Sequence, residues 1–280
     1  MAYKLYNGND WVDASFDPVN IPVSDDEVVI PHDVTGNKTD GADAAHELDL
    51  DLLMTHPGFT GDFGSSGAPI KSAADLIVHQ GSGGFYFECT DDGSPNLTTD
   101  EVRIEAANNS VIAILGTDAA ATLGDFATIV VARGNLTLDS SIVFTGAGLV
   151  KVTSIDNVGT DAILTIAAGA PTLPTLRQEG GTSTIHNVVT AFSMTAGTCL
   201  KWTAKVTSAI IHGGTFVYNH TALDADNTTI EVHAGATLDL MQNAVQKVID
   251  KVIAHQGSEV LYDKNMHTIT DFDDRRTRVA

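Results

Sequence analysis

The stretches FSMTAG (192–197), AIIHGG (209–214), IEVHAG (230–235) and VIAHQG (252–257) decide the reading of this chain. Each places apolar residues five and three positions before a closing glycine: Phe192 and Met194, Ala209 and Ile211, Ile230 and Val232, Val252 and Ala254. Alternation with a period of two turns one face inward and the other outward, as in a β-strand. After the glycine a second alternation follows in most copies, as at Phe216 and Tyr218, Leu238 and Leu240, and Val260 and Tyr262. A glycine between two such runs supplies the positive-φ corner at which a chain changes direction. From Gly197 to Gly214, Gly235 and Gly257 the steps are 17, 21 and 22 residues. Two or three short strands with their corners need about that length, so each copy reads as one coil of a solenoid.

Working toward the N-terminus, LTIAAG (164–169), IVVARG (129–134) and LIVHQG (76–81) fit the same phrase. The 35 residues between Gly134 and Gly169 then read as a coil with an insertion, and the 53 between Gly81 and Gly134 as about two coils. The expected fold is all-β: a single-stranded parallel β-helix over residues 49–270, with an irregular N-terminal cap (1–48) and a short polar C-terminal tail (271–280). Trp11 and Phe16 in the cap are expected to plug the open end of the stack, and Asp25–Pro31 to form a first strand. The Gly- and Ser-rich stretch Thr55–Ile70 reads as irregular. A β-sandwich or jelly roll is the competing architecture, since it too shows short alternating strands. Ala244, Val245, Val248, Ile249, Val252 and Ile253 also fit a helical stripe, although the register of the neighbouring coils favours a strand.

Composition narrows the function. The 280 residues carry 36 Asp and Glu against 15 Lys and Arg, a formal charge of −21, which repels a phosphate backbone and argues against nucleic-acid binding. Hydrophobic residues make up 43% of the chain, enough for a core, and mean hydropathy is +0.05. No run has the length of a membrane span. The opening MAYKLYNGNDW lacks a basic region followed by an apolar one, so folding in a cytoplasm is expected. Cys89 and Cys199 lie in apolar strand-like runs with no metal-type spacing and are expected to be buried free thiols.

His79, His212, His233 and His255 all stand two residues before a repeat glycine, three of them in consecutive coils. Stacked coils would bring such imidazoles within about 5 Å of one another. That arrangement suits a metal ladder, but it equally suits a polar stack at a solvated corner, and Ala132, Ala167 or Thr195 fill the slot elsewhere. Carboxylates cluster at Asp25–Glu27, Asp91 and Asp92, Asp224 and Asp226, and Asp271, Asp273 and Asp274. They read as solvated turn residues, because no recurring acidic pair stands beside a basic residue as a glycosidase or lyase would need. There is no GxSxG elbow, no Cys/His dyad and no Walker or Rossmann loop. Gly64 and Gly67 sit in a turn-rich loop without strand-to-helix context. No catalytic, cofactor-binding or metal-binding residue is assigned, and no cofactor is expected.

The phrases YNGNDW (6–11), IPVSDDEVVIP (21–31), LLMTHPGFTGDFGSSGAPIK (52–71), VVARGNLTL (130–138) and EGGTSTI (179–185) resemble tailed-phage virion proteins with a parallel β-helix fold. The resemblance touches most of the chain and implies a non-enzymatic capsid decoration or cement protein. It also implies assembly as a homotrimer, the major capsid protein as partner, and location in the virion after synthesis in the host cytoplasm. It carries over no catalytic residue. A tail-spike or fibre protein that binds or depolymerises host polysaccharide is the alternative. A glycan-binding adhesin would call for rows of exposed aromatics, which Trp11 and Trp202 do not form.

Overall fold

A computed structural model describes residues 3–8, 16–17, 22–23, 25–39, 49–89, 99–117, 126–153, 162–169, 172–200, 206–218, 225–241 and 248–276. Among these residues the chain is all-β, with strands and turns and no helix. Val248–Ala254 is a strand, so the helical reading of that segment gives way to the register of its neighbours. Trp11, Trp202, Asp91, Asp92 and Asp224 lie outside the described residues.

Strands pair in parallel, in the N-terminal part often with the next strand along the chain and from Phe144–Val152 onward with the strand one repeat later. Among the described strands, Leu5–Tyr6 pairs antiparallel with Phe16–Asp17. A sandwich or jelly roll would instead pair its strands antiparallel. Two ladders result. The first takes in Glu27–Ile30, Asp49–Thr55, Ala73–His79, Thr99–Glu105 and the front of Phe126–Leu138. It continues through Phe144–Val152, Leu173–Gln178, Val189–Met194, Val206–Ile211, Ala225–Val232, Val248–Ala254 and Thr268–Asp274. The second takes in Ile70–Ser72, Phe85–Cys89, Ile112–Thr117, the back of Phe126–Leu138 and Ala162–Ile166. Thr182–Ile185, Thr198–Leu200, Gly214–Val217, Ala236–Asp239 and Glu259–Leu261 complete it.

The inward residues stack in columns. Val131, Val152, Gln178, Met194, Ile211, Val232 and Ala254 face one another in successive strands of the first ladder. Leu136, Leu164, Ser183, Cys199, Phe216, Leu238 and Val260 do so in the second. Apart from the polar Gln178 and Ser183, both columns belong to one buried apolar cluster, and the rings of Phe192 and Phe216 meet across it at 5.1 Å. Burying a phenylalanine contributes roughly 1.5–3 kcal/mol, so each repeat adds its own increment to the core. From Met194 to Ile211, Val232 and Ala254 the steps are again 17, 21 and 22 residues. Gly197, Gly214, Gly235 and Gly257 have φ of 84°, 80°, 80° and 82°, the left-handed corner expected of them.

Three parts of the sequence reading need correction. Leu164 and Ile166 of LTIAAG pair with Leu136 and Leu138, which places that phrase in the second ladder, not the first. A repeat that the apolar template passed over is LRQEGG (176–181), with Leu176 and Gln178 inward and Gly181 at φ 62°. Its buried Gln178 amide donates to the carbonyls of Gly181 and Thr198 at 3.1 and 2.9 Å and accepts from Ser183 Oγ at 2.6 Å. A polar side chain thus fills an apolar slot with its hydrogen bonds satisfied. Finally, residues 271–274, assigned to the tail, complete the strand Thr268–Asp274 in register with Val248–Ala254. At the other end, Glu27–Ile30 is the first strand expected within Asp25–Pro31, and it pairs in parallel with Tyr3–Tyr6. Cys89 and Cys199 are buried free thiols as expected, and burial pushes the Cys199 thiol up to about 12.

Candidate functional site

The column just beyond the first ladder's inward residues is the chemically richest surface. Backbone hydrogen bonds step along it from Thr195 to His212, His233, His255 and Arg275, each amide donating to a carbonyl of the preceding coil. The imidazoles of His212 and His233 stack at 4.4 Å between centroids, and those of His233 and His255 at 4.4 Å with only 8° between planes. The sequence therefore located a real stack of three.

Glu231, which the sequence reading missed, completes the group. It lies two residues before His233 on the same outward face, in register with Ile210 and Ile253. Its Oε1 is 3.1 Å from His233 Nε2 and 2.7 Å from His255 Nε2, so one carboxylate oxygen meets imidazoles from two coils. The three side chains are about equally sheltered, at 30%, 31% and 27% exposure. The E-x-H spacing in a strand was the available signal, since residues two apart share a face. Burial first, then the neighbouring His212, lowers the pKa of His233, against the pull of Glu231.

His79 does not belong to this column. It pairs with Thr55 and Ile104, and Ile104 with Val131, so it points inward one position out of frame with the other three. Its Nδ1 lies 2.8 Å from Thr55 Oγ1 and its ring stacks on Phe85 at 4.9 Å. Nε2 is buried without a hydrogen-bond partner. Burial lowers the pKa of His79 to about 4, so the ring is neutral at pH 7. Gly81 consequently keeps an ordinary backbone, unlike the corner glycines.

The carboxylates are engaged structurally. Lys151 pairs with Glu179 at 2.8 Å and Lys251 with Asp271 at 2.9 Å, each across two coils. Asp273 accepts from Arg275 Nε at 2.7 Å, and Asp274 from Arg276 Nη2 at 2.7 Å. The Arg276 guanidinium holds the Asp274 carboxyl down at about 2. Near the N-terminus Lys38 is buried, donates to the Gly8 carbonyl and lies 4.6 Å above the Tyr6 ring. Desolvation pushes its ammonium down to about 8. The histidine column with Glu231 is where three atoms able to ligate a metal, one each from Glu231, His233 and His255, lie within 4.8 Å of one another. No protein-family model, curated protein or solved structure matches the chain.

Proposed function

We propose that the chain is a single-stranded parallel β-helix that serves as a non-enzymatic structural protein of a tailed-phage virion, decorating or cementing the outer capsid surface. The observation supporting this reading is the pair of parallel ladders, whose strands succeed one another from Glu27–Ile30 to Thr268–Asp274 with local register shifts at three pairings. Such a stack is held by nearest-neighbour interfaces throughout and behaves as a stiff rod. Rigidity and a long lateral surface suit a protein that must bridge lattice subunits. A formal charge of −21 favours a basic face on the partner, which is the major capsid protein in this reading. Assembly as a homotrimer would lay three such rods side by side. Electron microscopy of native particles with and without this protein tests the proposal. The expected result is density at regular capsid positions that disappears when the protein is absent. Virions whose mass spectra lack the chain would overturn it.

A further inference from the structure

We propose that Glu231, His233 and His255 form a binding site for a divalent transition-metal ion of the zinc class. One oxygen and two nitrogens, one from each residue, lie within 4.8 Å of one another at the surface. Zinc bonds to imidazole nitrogen and carboxylate oxygen at about 2.0–2.2 Å, which sets ligand atoms of a tetrahedral site roughly 3.3–3.5 Å apart. The Glu231–His233 separation of 3.1 Å is close to that, and the 2.7 Å to His255 must open by a few tenths of an ångström.

The imidazoles are in place but not yet aimed. With 8° between their planes, the in-plane nitrogen lone pairs of His233 and His255 run side by side rather than converging. An ion held by both requires one ring to turn about χ2. That torsion is broad for histidine, and both side chains are partly exposed, so the rotation meets little resistance. In the ion's absence Nε2 of each ring faces the same carboxylate oxygen as its hydrogen-bond partner. On binding, each Nε2 proton of a neutral ring shifts to Nδ1 through solvent, or is released to solvent from a charged one, and the ion takes the freed lone pair.

The surroundings favour a cation. Glu231 supplies the negative charge, and the net charge of the chain is strongly negative. Arg275, next along the column, has its charge met by Asp273 at 2.7 Å. His212 stacks on the far side of His233 and supports that ring without entering the ligand group. Two nitrogen donors and one oxygen select zinc, nickel or copper over magnesium and calcium, which prefer oxygen alone. Three protein ligands leave a coordination position for water.

Calorimetric titration of the full chain with zinc chloride tests the site. One saturable ion per chain is expected, with no comparable binding of magnesium. Glu231→Gln and His255→Asn should each weaken zinc at least about tenfold, whereas His212→Asn should change it by less than about threefold. Cobalt(II) in place of zinc should give a visible d–d absorption that His255→Asn abolishes, with the circular dichroism spectrum of each variant unchanged. Absence of saturable zinc binding overturns the proposal. So does binding that persists undiminished in both Glu231→Gln and His255→Asn, or that His212→Asn removes as completely.

Discussion

LIVHQG at 76–81 and VIAHQG at 252–257 end on the same three residues, yet the structure uses them in opposite ways. In the C-terminal copy Val252 and Ala254 point inward and His255 sits at the surface against Glu231. In the N-terminal copy Ile77 and His79 are inward, while Leu76 and Val78 are only partly buried. A slip of one residue exchanges every side chain between core and surface. What decides the slip is the company each histidine keeps. Thr55 and Phe85 give His79 a hydrogen bond and a ring face inside the core, whereas the C-terminal coils place Ile211, Val232 and Ala254 in that column. The same short phrase thus yields a buried neutral imidazole in one region and a ligand-like one in the other.

The most direct way to break this comparison is to test the frame. Ile77→Ala should cost about 2–5 kcal/mol because it opens a cavity in the core, whereas Val78→Ala on the outward face should cost under about 1 kcal/mol. Urea unfolding of the two variants measures this; equal losses, or a larger loss at Val78, would restore the frame of the unadjusted repeat.

Acid stability comes next in size. A folded pKa near 4 against 6.5 in the unfolded chain means that His79 binds its proton more readily when unfolded. Its contribution is therefore complete above pH 6.5 and is lost as pH falls toward 4, by about 3 kcal/mol. His79→Leu should flatten the pH dependence of unfolding across that window relative to the parent protein. His233, whose pKa is also lowered, has the same sign but is partly exposed, so His233→Leu should flatten it far less. Indistinguishable pH profiles for the parent and His79→Leu would place His79 in contact with water.

The smallest effect concerns the corners. Gly235 has φ of 80° with open space around its missing Cβ, so Gly235→Ala carries the left-handed backbone cost alone, about 1–2 kcal/mol. Gly235→Asn should recover part of it, because asparagine visits that region. At Gly81 the backbone is ordinary and a Cβ would approach the Phe59 carbonyl oxygen at 2.8 Å, so Gly81→Asn should recover nothing relative to Gly81→Ala. Melting temperatures of the four variants separate strain from collision.

How much of this was legible depends on the residue. Gly197 to Gly257 announced themselves because apolar pairs and positive-φ corners recur there without interruption. The repeat at Leu176–Gly181 stayed hidden because Gln178 holds an inward slot by hydrogen bonding, which no apolar template detects. LTIAAG fits the common phrase yet lies in the second ladder, because both ladders alternate with the same period and both sit beside glycines. The histidine stack was visible as spacing, but Glu231 was not, since its importance lies in reaching a ring one coil away.

By itself, then, the amino-acid order determined that the chain is built from short alternating strands with glycine corners, and that three imidazoles fall on consecutive repeats. Periodicity and backbone stereochemistry are local properties, so they can be read locally. Only the tertiary structure decided which ladder each strand joins, that His79 turns inward, and that Glu231 closes the group around His233 and His255. Those are questions of register between residues some twenty positions apart, and register is settled by what each side chain meets across the core or along the face.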